Sequence, residues 1–157
     1  MILFSDGKLD IGERSTFGGV HIRCHRNHSI SIGADCMFSW DTVLLAYDGH
    51  LIFDLDTGTC INNTTGERKK GIVIGDHVWV GGEVAILTNS CVGTGSICGY
   101  RALITGTFPN NCIIGGTPAK ILKKNVAWTR EDICLDDERL YRLPEEYRRR
   151  TEDGIIF

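Results

Sequence analysis

The sequence predicts an all-β solenoid of short parallel strands, and three observations carry that expectation. Between Ile74 and Phe108 the chain reads in sixes as IGDHVW, VGGEVA, ILTNSC, VGTGSI, CGYRAL and ITGTFP, with an aliphatic residue or cysteine recurring at Ile74, Val80, Ile86, Val92, Cys98 and Ile104. Four of these six anchors are followed by glycine. A second small or apolar residue stands two places before each anchor, at Ile72, Val78, Val84, Ser90, Ser96 and Ala102. A helix repeats its apolar face every three or four residues and a lone strand every two, so a strict period of six fits neither alone. Alternation inside each six puts both positions on the inner side of a short strand, with a glycine-rich or polar bend before the next. Such units bury their inner residues only against their neighbours, which requires a stacked coil.

Taken in order, the chain opens with imperfect units. Ile11-Gly12 starts one, Phe17-Gly18 another, and Val20, Ile22 and Cys24 alternate like a strand. Irregularity of this kind suits an end cap. The phase is regular from Ile32 through Cys36, Phe38, Val43 and Leu44, and it breaks at Tyr47. From Asp48 to Lys70 the six-fold phase is lost and Asp, Asn, Thr and Lys accumulate, so this segment is an excursion from the coil that returns at Gly71. Excursions of this length without a period of their own are usually functional or disordered. After Pro109 the phase is expected to slip, and IIGGTPAKILKK follows from Ile113 to Lys124. Thr129-x-x-Asp132 then fits a capping box, with Ile133, Leu135, Leu140 and Leu143 as an apolar stripe. The organisation read from these features is a solenoid domain over 1–124 with an excursion loop at 51–70, and a helical tail over 125–157 that packs along the solenoid or a neighbour.

The residue just before each anchor points outward: Val73, Trp79, Ala85, Cys91, Ile97 and Leu103. If three such units make one coil of about 18 residues, Trp79 stacks on Ile97 and Ala85 on Leu103. Apolar strips on an outer face mark an interface.

Composition narrows the function classes. The length of 157 residues suits one domain, and 19 glycines with only three prolines suit many tight corners. A net charge of −3 speaks against a nucleic-acid binder, which needs concentrated positive charge, and favours a small-molecule partner. Seven cysteines without a C-x-x-C pair form neither a disulfide framework nor a zinc ribbon, so a reducing cytoplasm is the simpler setting. Met1 to Phe4 is too short for a signal peptide, and no apolar run reaches the length of a membrane span.

The hexad array resembles the repeat of the left-handed parallel β-helix acyltransferases. The resemblance covers roughly Ile11 to Lys124 and implies a CoA-dependent O- or N-acetyltransferase, built as a homotrimer with active sites between subunits. It places the catalytic histidine at His50, in Tyr47-Asp48-Gly49-His50, where the excursion leaves the coil. An imidazole with an ordinary pKa near 6.5 is mostly neutral at cellular pH and accepts a proton from the attacking hydroxyl or amine. Asp48 is the candidate to orient its ring. Backbone N–H groups of Val80-Gly81-Gly82 are candidate oxyanion donors, since glycine permits close approach. Trp79 in HVWVG matches a family tryptophan near the cofactor channel.

Gly115, Gly116, Pro118, Ala119 and Lys120 match the family's G-x-P-A-K/R segment along which CoA runs. Lys120 and Lys123 meet its phosphates as point charges. Tyr100 and Thr105 complete the expected acetyl-CoA path. Tyr100 replaces a usually small residue, and Gly106 stands where lysine is common. No metal is expected. The upstream histidines His21, His25 and His28 read first as ordinary strand and turn residues, with lining of an acceptor pocket as the second reading for His21. The run Cys36-Met37-Phe38-Ser39 and the ending Lys123 to Trp128 resemble enzymes that decorate envelope polysaccharides, which implies a sugar acceptor. Two other classes stay open on the residues alone: a non-catalytic scaffold, and a zinc hydratase, which needs three converging histidines.

Overall fold

The six-residue period becomes a three-sided column in the computed structural model of the chain, which describes residues 2–3, 6–25, 27–62, 71–131 and 142. Three strands make each coil, one per face. In chain order the coils are β1 (Ile2–Leu3), β2 (Lys8–Ile11) and β3 (Thr16–Phe17); β4 (Val20–Cys24), β5 (Ser29–Ile32) and β6 (Met37–Phe38); β7 (Thr42–Leu45), β8 (Gly71–Ile74) and β9 (Trp79–Val80). The upper coils are β10 (Ala85–Leu87), β11 (Ser90–Val92) and β12 (Ile97–Cys98), then β13 (Leu103–Ile104), β14 (Thr107–Phe108) and β15 (Cys112–Gly116), with β16 (Ala119–Lys124) turning back on β15. Face A stacks β1-β4-β7-β10-β13, face B stacks β2-β5-β8-β11-β14, and face C stacks β3-β6-β9-β12-β15-β16. Apart from the antiparallel β15–β16 pair, every ladder in these faces is parallel.

The register follows the expected spacing where the hexads are regular. Ile72 pairs with Ser90, Trp79 with Ile97 and Ala85 with Leu103. All six anchors are at most 1 % exposed, and all six residues two places earlier at most 2 %. Each fully buried aliphatic side chain is worth about 1.5–3 kcal/mol, so this inner column is the main source of stability.

Three details depart from the sequence expectation. The phase slips at Gly106, ahead of Pro109: Cys91 pairs with Thr107, two residues short of a regular coil. Gly106 at φ 97° closes that corner in two residues, a conformation that costs glycine least. The excursion also carries structure of its own: Phe53 and Cys60 form an antiparallel bridge, and Asp54 caps its tip by accepting from the N–H and hydroxyl of Thr57. Finally, residues 125–131 of the expected helical tail are not helical. They form a strap along the corner between faces B and C, and there Trp128 is buried against His77 with ring centroids 4.1 Å apart. The Thr129 hydroxyl accepts from the Glu131 N–H, as a helix N-cap does, but Asp132 and the apolar stripe lie outside the described residues. Among the described residues, no helix is long and apolar enough to cross a membrane.

Candidate active site

The corner between faces A and B carries the histidine cleft. At the second coil it holds His25 and His28; at the third it releases the excursion through Tyr47, Asp48 and Gly49 to His50. These residues, with Leu51 and Asn62, line a cleft of about 140 Å³. Its floor is aromatic: the His25 ring stacks on Tyr47 at 5.2 Å between centroids, and His28 meets His25 edge-on at 6.2 Å. His28 is buried, whereas His50 and Asp48 are exposed at the rim. Gly49 adopts φ 83°, the left-handed turn that swings His50 out of the coil.

His21 is an ordinary strand histidine, as its first reading has it, and lies away from the cleft. It pairs with Val43 on face A, points outward and does not line the cleft. Strand alternation explains this: Ile22 and Cys24 point inward, so His21 cannot. His25 and His28 take its place because the corner after β4 is stacked beneath the root of the excursion, a juxtaposition that no spacing in the sequence reveals. Asn62 was also missed. Its Nδ2 donates to Asp48 Oδ2 at 3.0 Å and to the His50 carbonyl at 2.8 Å, while its Oδ1 accepts from the Ile52 N–H at 2.8 Å. An asparagine in a polar loop gives no signal of this in the sequence.

The expected acetyl-CoA residues divide between edges. Thr105, exposed at a higher corner between faces A and B, shares the edge of His50. Gly81, Gly82 and Tyr100 lie at the corner between faces C and A, and the β15–β16 turn with Gly115, Gly116, Pro118, Ala119 and Lys120 follows at the top of face C. Trp79 projects from face C, 37 % exposed, with its ring 5.9 Å from Trp128. One copy of the chain therefore holds the histidine and most of the expected CoA path on different corners of the column.

Packing accounts for several of these glycines. The Gly81 N–H already donates to the Cys98 carbonyl at 2.8 Å, which removes it as an oxyanion donor. Gly82 is buried under the Trp40 indole; a Cβ there would stand 2.8 Å from that ring. The glycine pair thus lets Trp40 and the next coil come close. A Cβ on Gly115 would stand 2.8 Å from Leu122 of β16. The Tyr100 hydroxyl donates to Glu83, and Arg101 Nε donates to the other Glu83 oxygen at 2.8 Å. These bonds hold the Glu83 carboxyl below its ordinary range and push the Tyr100 phenol up. Lys120, Lys123 and Lys124 are exposed along β16 and present three cations beside the glycine turn, which suits the phosphates of CoA. Among the described residues, no group of three His, Cys, Asp or Glu side chains could hold a metal ion.

No family model matches the chain. It is similar to the polysialic acid O-acetyltransferase of Escherichia coli O1:K1 / APEC, with 39 % identity over 135 residues, 84 % of this chain and 42 % of that protein. The polysialic acid O-acetyltransferase of Neisseria meningitidis is 36 % identical over 130 residues, 82 % of this chain and 58 % of that protein. The chain thus spans about half the length of the curated relatives it matches. Among solved structures, that of the polySia specific acetyltransferase NeuO superposes with a TM-score of 0.77 at 36 % identity, covering 92 % of this chain and 64 % of that one. The six-spaced anchors, the three-faced parallel column and these relatives agree: the chain belongs to the hexapeptide-repeat, left-handed parallel β-helix family of acyltransferases.

Proposed function

We propose that this chain transfers an acetyl group from acetyl-CoA to a hydroxyl of a sugar, with a sialic-acid polymer as the first acceptor to test. The observation that carries this reading is His50 at the rim of an aromatic-floored cleft, where the excursion leaves a β-helix shared with two polysialic acid O-acetyltransferases. Aromatic rings suit the apolar face of a sugar, and the open rim suits a long acceptor.

In the proposed reaction the acceptor hydroxyl lies in the cleft and His50 takes its proton as the oxygen attacks the thioester carbonyl carbon. The carbon–sulfur bond breaks, the thiolate of CoA leaves and is protonated, and the acceptor keeps the acetyl group. General-base help of this kind is worth about 10² to 10⁴ in rate. Asp48, two residues before His50, is assigned to orient the ring or its turn. Trp79, Tyr100, Thr105 and the segment Gly115, Gly116, Pro118, Ala119 and Lys120 are assigned to the acetyl-CoA path, with Lys123 as a second phosphate contact.

Because the histidine and most of that path sit on different corners, a homotrimer that brings one copy's A/B corner against another's C/A corner would complete each site. The apolar outward rows of face A (Val43, Ala85, Leu103) and face C (Met37, Trp79, Ile97, Ile113) support such packing. Six described cysteines are free, in keeping with a cytoplasmic setting.

His50→Ala is expected to lower kcat at least about 100-fold with the KM for acetyl-CoA unchanged. Thiol release from acetyl-CoA with polysialic acid as acceptor reads this directly, and full activity in that variant would remove His50 from its role. Lys120→Ala combined with Lys123→Ala is expected to raise the KM for acetyl-CoA several-fold with little change in kcat.

A further inference from the structure

We infer that Asn62 is a positioning residue for the His50 turn: one carboxamide ties together Asp48, His50 and Ile52 and so fixes where the imidazole stands in the cleft. The inference rests on the proposed role of His50, although the clamp itself can be tested without turnover.

The excursion returns to its own root as a hairpin. The Ile61 N–H donates to the Ile52 carbonyl, the Asp54 N–H to the Thr59 carbonyl and the Gly58 N–H to the Asp54 carbonyl, each at 2.9 Å. At the open end of this hairpin Asn62 reaches across to the outgoing strand. Its two amide protons go to the Asp48 carboxylate and the His50 carbonyl, and its oxygen takes the Ile52 N–H. Two acceptors on one side and a donor on the other fix which end of the carboxamide is nitrogen.

The bonds span the residues on both sides of Gly49 and of His50. Gly49, in its left-handed conformation, is the freest point of the backbone there. His50 is exposed and, among the described residues, is not part of the buried core, so the clamp is what ties this turn in place. A carboxylate at position 62 would keep the size and the acceptor for Ile52, but would set a negative charge against Asp48 and an oxygen against the His50 carbonyl.

The test compares Asn62→Ala and Asn62→Asp with the wild-type protein, by steady-state kinetics and by hydrogen exchange at individual amides. Misplacing a catalytic group by about 1 Å costs on the order of 100-fold. Both variants are therefore expected to lose about that factor in kcat, with the KM for acetyl-CoA within twofold and the thermal midpoint little changed. The Ile52 amide should exchange faster in Asn62→Ala and keep its protection in Asn62→Asp, which retains the acceptor. Unchanged kcat in Asn62→Asp, in a protein that His50→Ala inactivates, overturns the positioning role. If His50→Ala stays active, the proposed function fails instead and exchange alone decides the clamp: wild-type protection of Ile52 in Asn62→Ala refutes it. Should Asn62→Ala fail to fold, Asn62→Asp carries the kinetic comparison.

Discussion

At most corners of the column one residue turns left-handed, and glycine often does not fill that place. Arg14, Asp35, Asp41, His77, Glu83, Asn89, Arg101 and Asn111 all have positive φ. Each costs roughly 1–2 kcal/mol over a right-handed residue. Bonds to the coil below offset this at Asp35, His77, Glu83 and Asn111, whose N–H groups donate to Glu13, Ala34, Trp40 and Thr94. The glycines after the anchors serve a different purpose, close approach. A Cβ on Gly33 would lie 2.6 Å from the Asp76 nitrogen, whereas on Gly19 its nearest neighbour would be 3.5 Å away. Gly33→Ala is therefore expected to cost about 1–3 kcal/mol and Gly19→Ala less than about 0.5. Thermal unfolding measures the difference, and equal midpoints would contradict the close-approach account.

Two elements outside the repeat, the strap and the excursion, dock onto corners. In the strap, Trp128 Nε1 donates to the His77 carbonyl at 2.8 Å, and Arg130 reaches Asp35 Oδ1 at 2.8 Å and the Cys36 carbonyl at 2.8 Å. His77 places Nδ1 2.6 Å from Asp35 Oδ2 and Nε2 3.0 Å from the Trp128 carbonyl. Burial pushes the Asp35 carboxyl up, but bonds and charge from His77 and Arg130 outweigh it and hold the group below its usual range. A depressed carboxyl stabilises the fold above its unfolded pKa of about 3.9, and that contribution is lost as pH falls through the folded value. Acidification below about pH 4 is expected to loosen the strap, read as a change in Trp128 fluorescence. Asp35→Asn should remove that acid step; an unchanged acid profile in the variant would assign the step to other carboxylates.

For the molecule as a whole, stability comes from the inner sides of the strands, and the proposed trimer would use their outer sides. Inward rows make the column, and outward rows on faces A and C stay partly exposed and apolar. Leu103→Glu places a charge on face A while leaving Ile104 and Ala102 buried. It is expected to shift the protein from trimer to monomer in light scattering with its β-sheet circular dichroism unchanged. A wild-type protein that is monomeric at micromolar concentration would remove the trimer from the proposal.

The sequence by itself determined the column. Side chains spaced six apart are buried together by stacked coils of short strands, so the anchors from Ile74 to Ile104 and the excursion after Tyr47 were legible as local periodicity; the outward pairs of Trp79 with Ile97 and Ala85 with Leu103 followed once the family resemblance supplied three units per coil. His50 stands where that period stops, and its proposed role comes from the family resemblance at that place. The tertiary structure alone decided which corner each residue occupies: it put His25 and His28 under His50, sent His21 outward, covered Gly82 with Trp40 and closed the hairpin on Asn62. Those placements depend on the number of residues in each corner and on which corners stack, long-range properties that a short repeat does not encode. A repeat fixes what must be buried, while the lengths of its interruptions fix what meets at the surface.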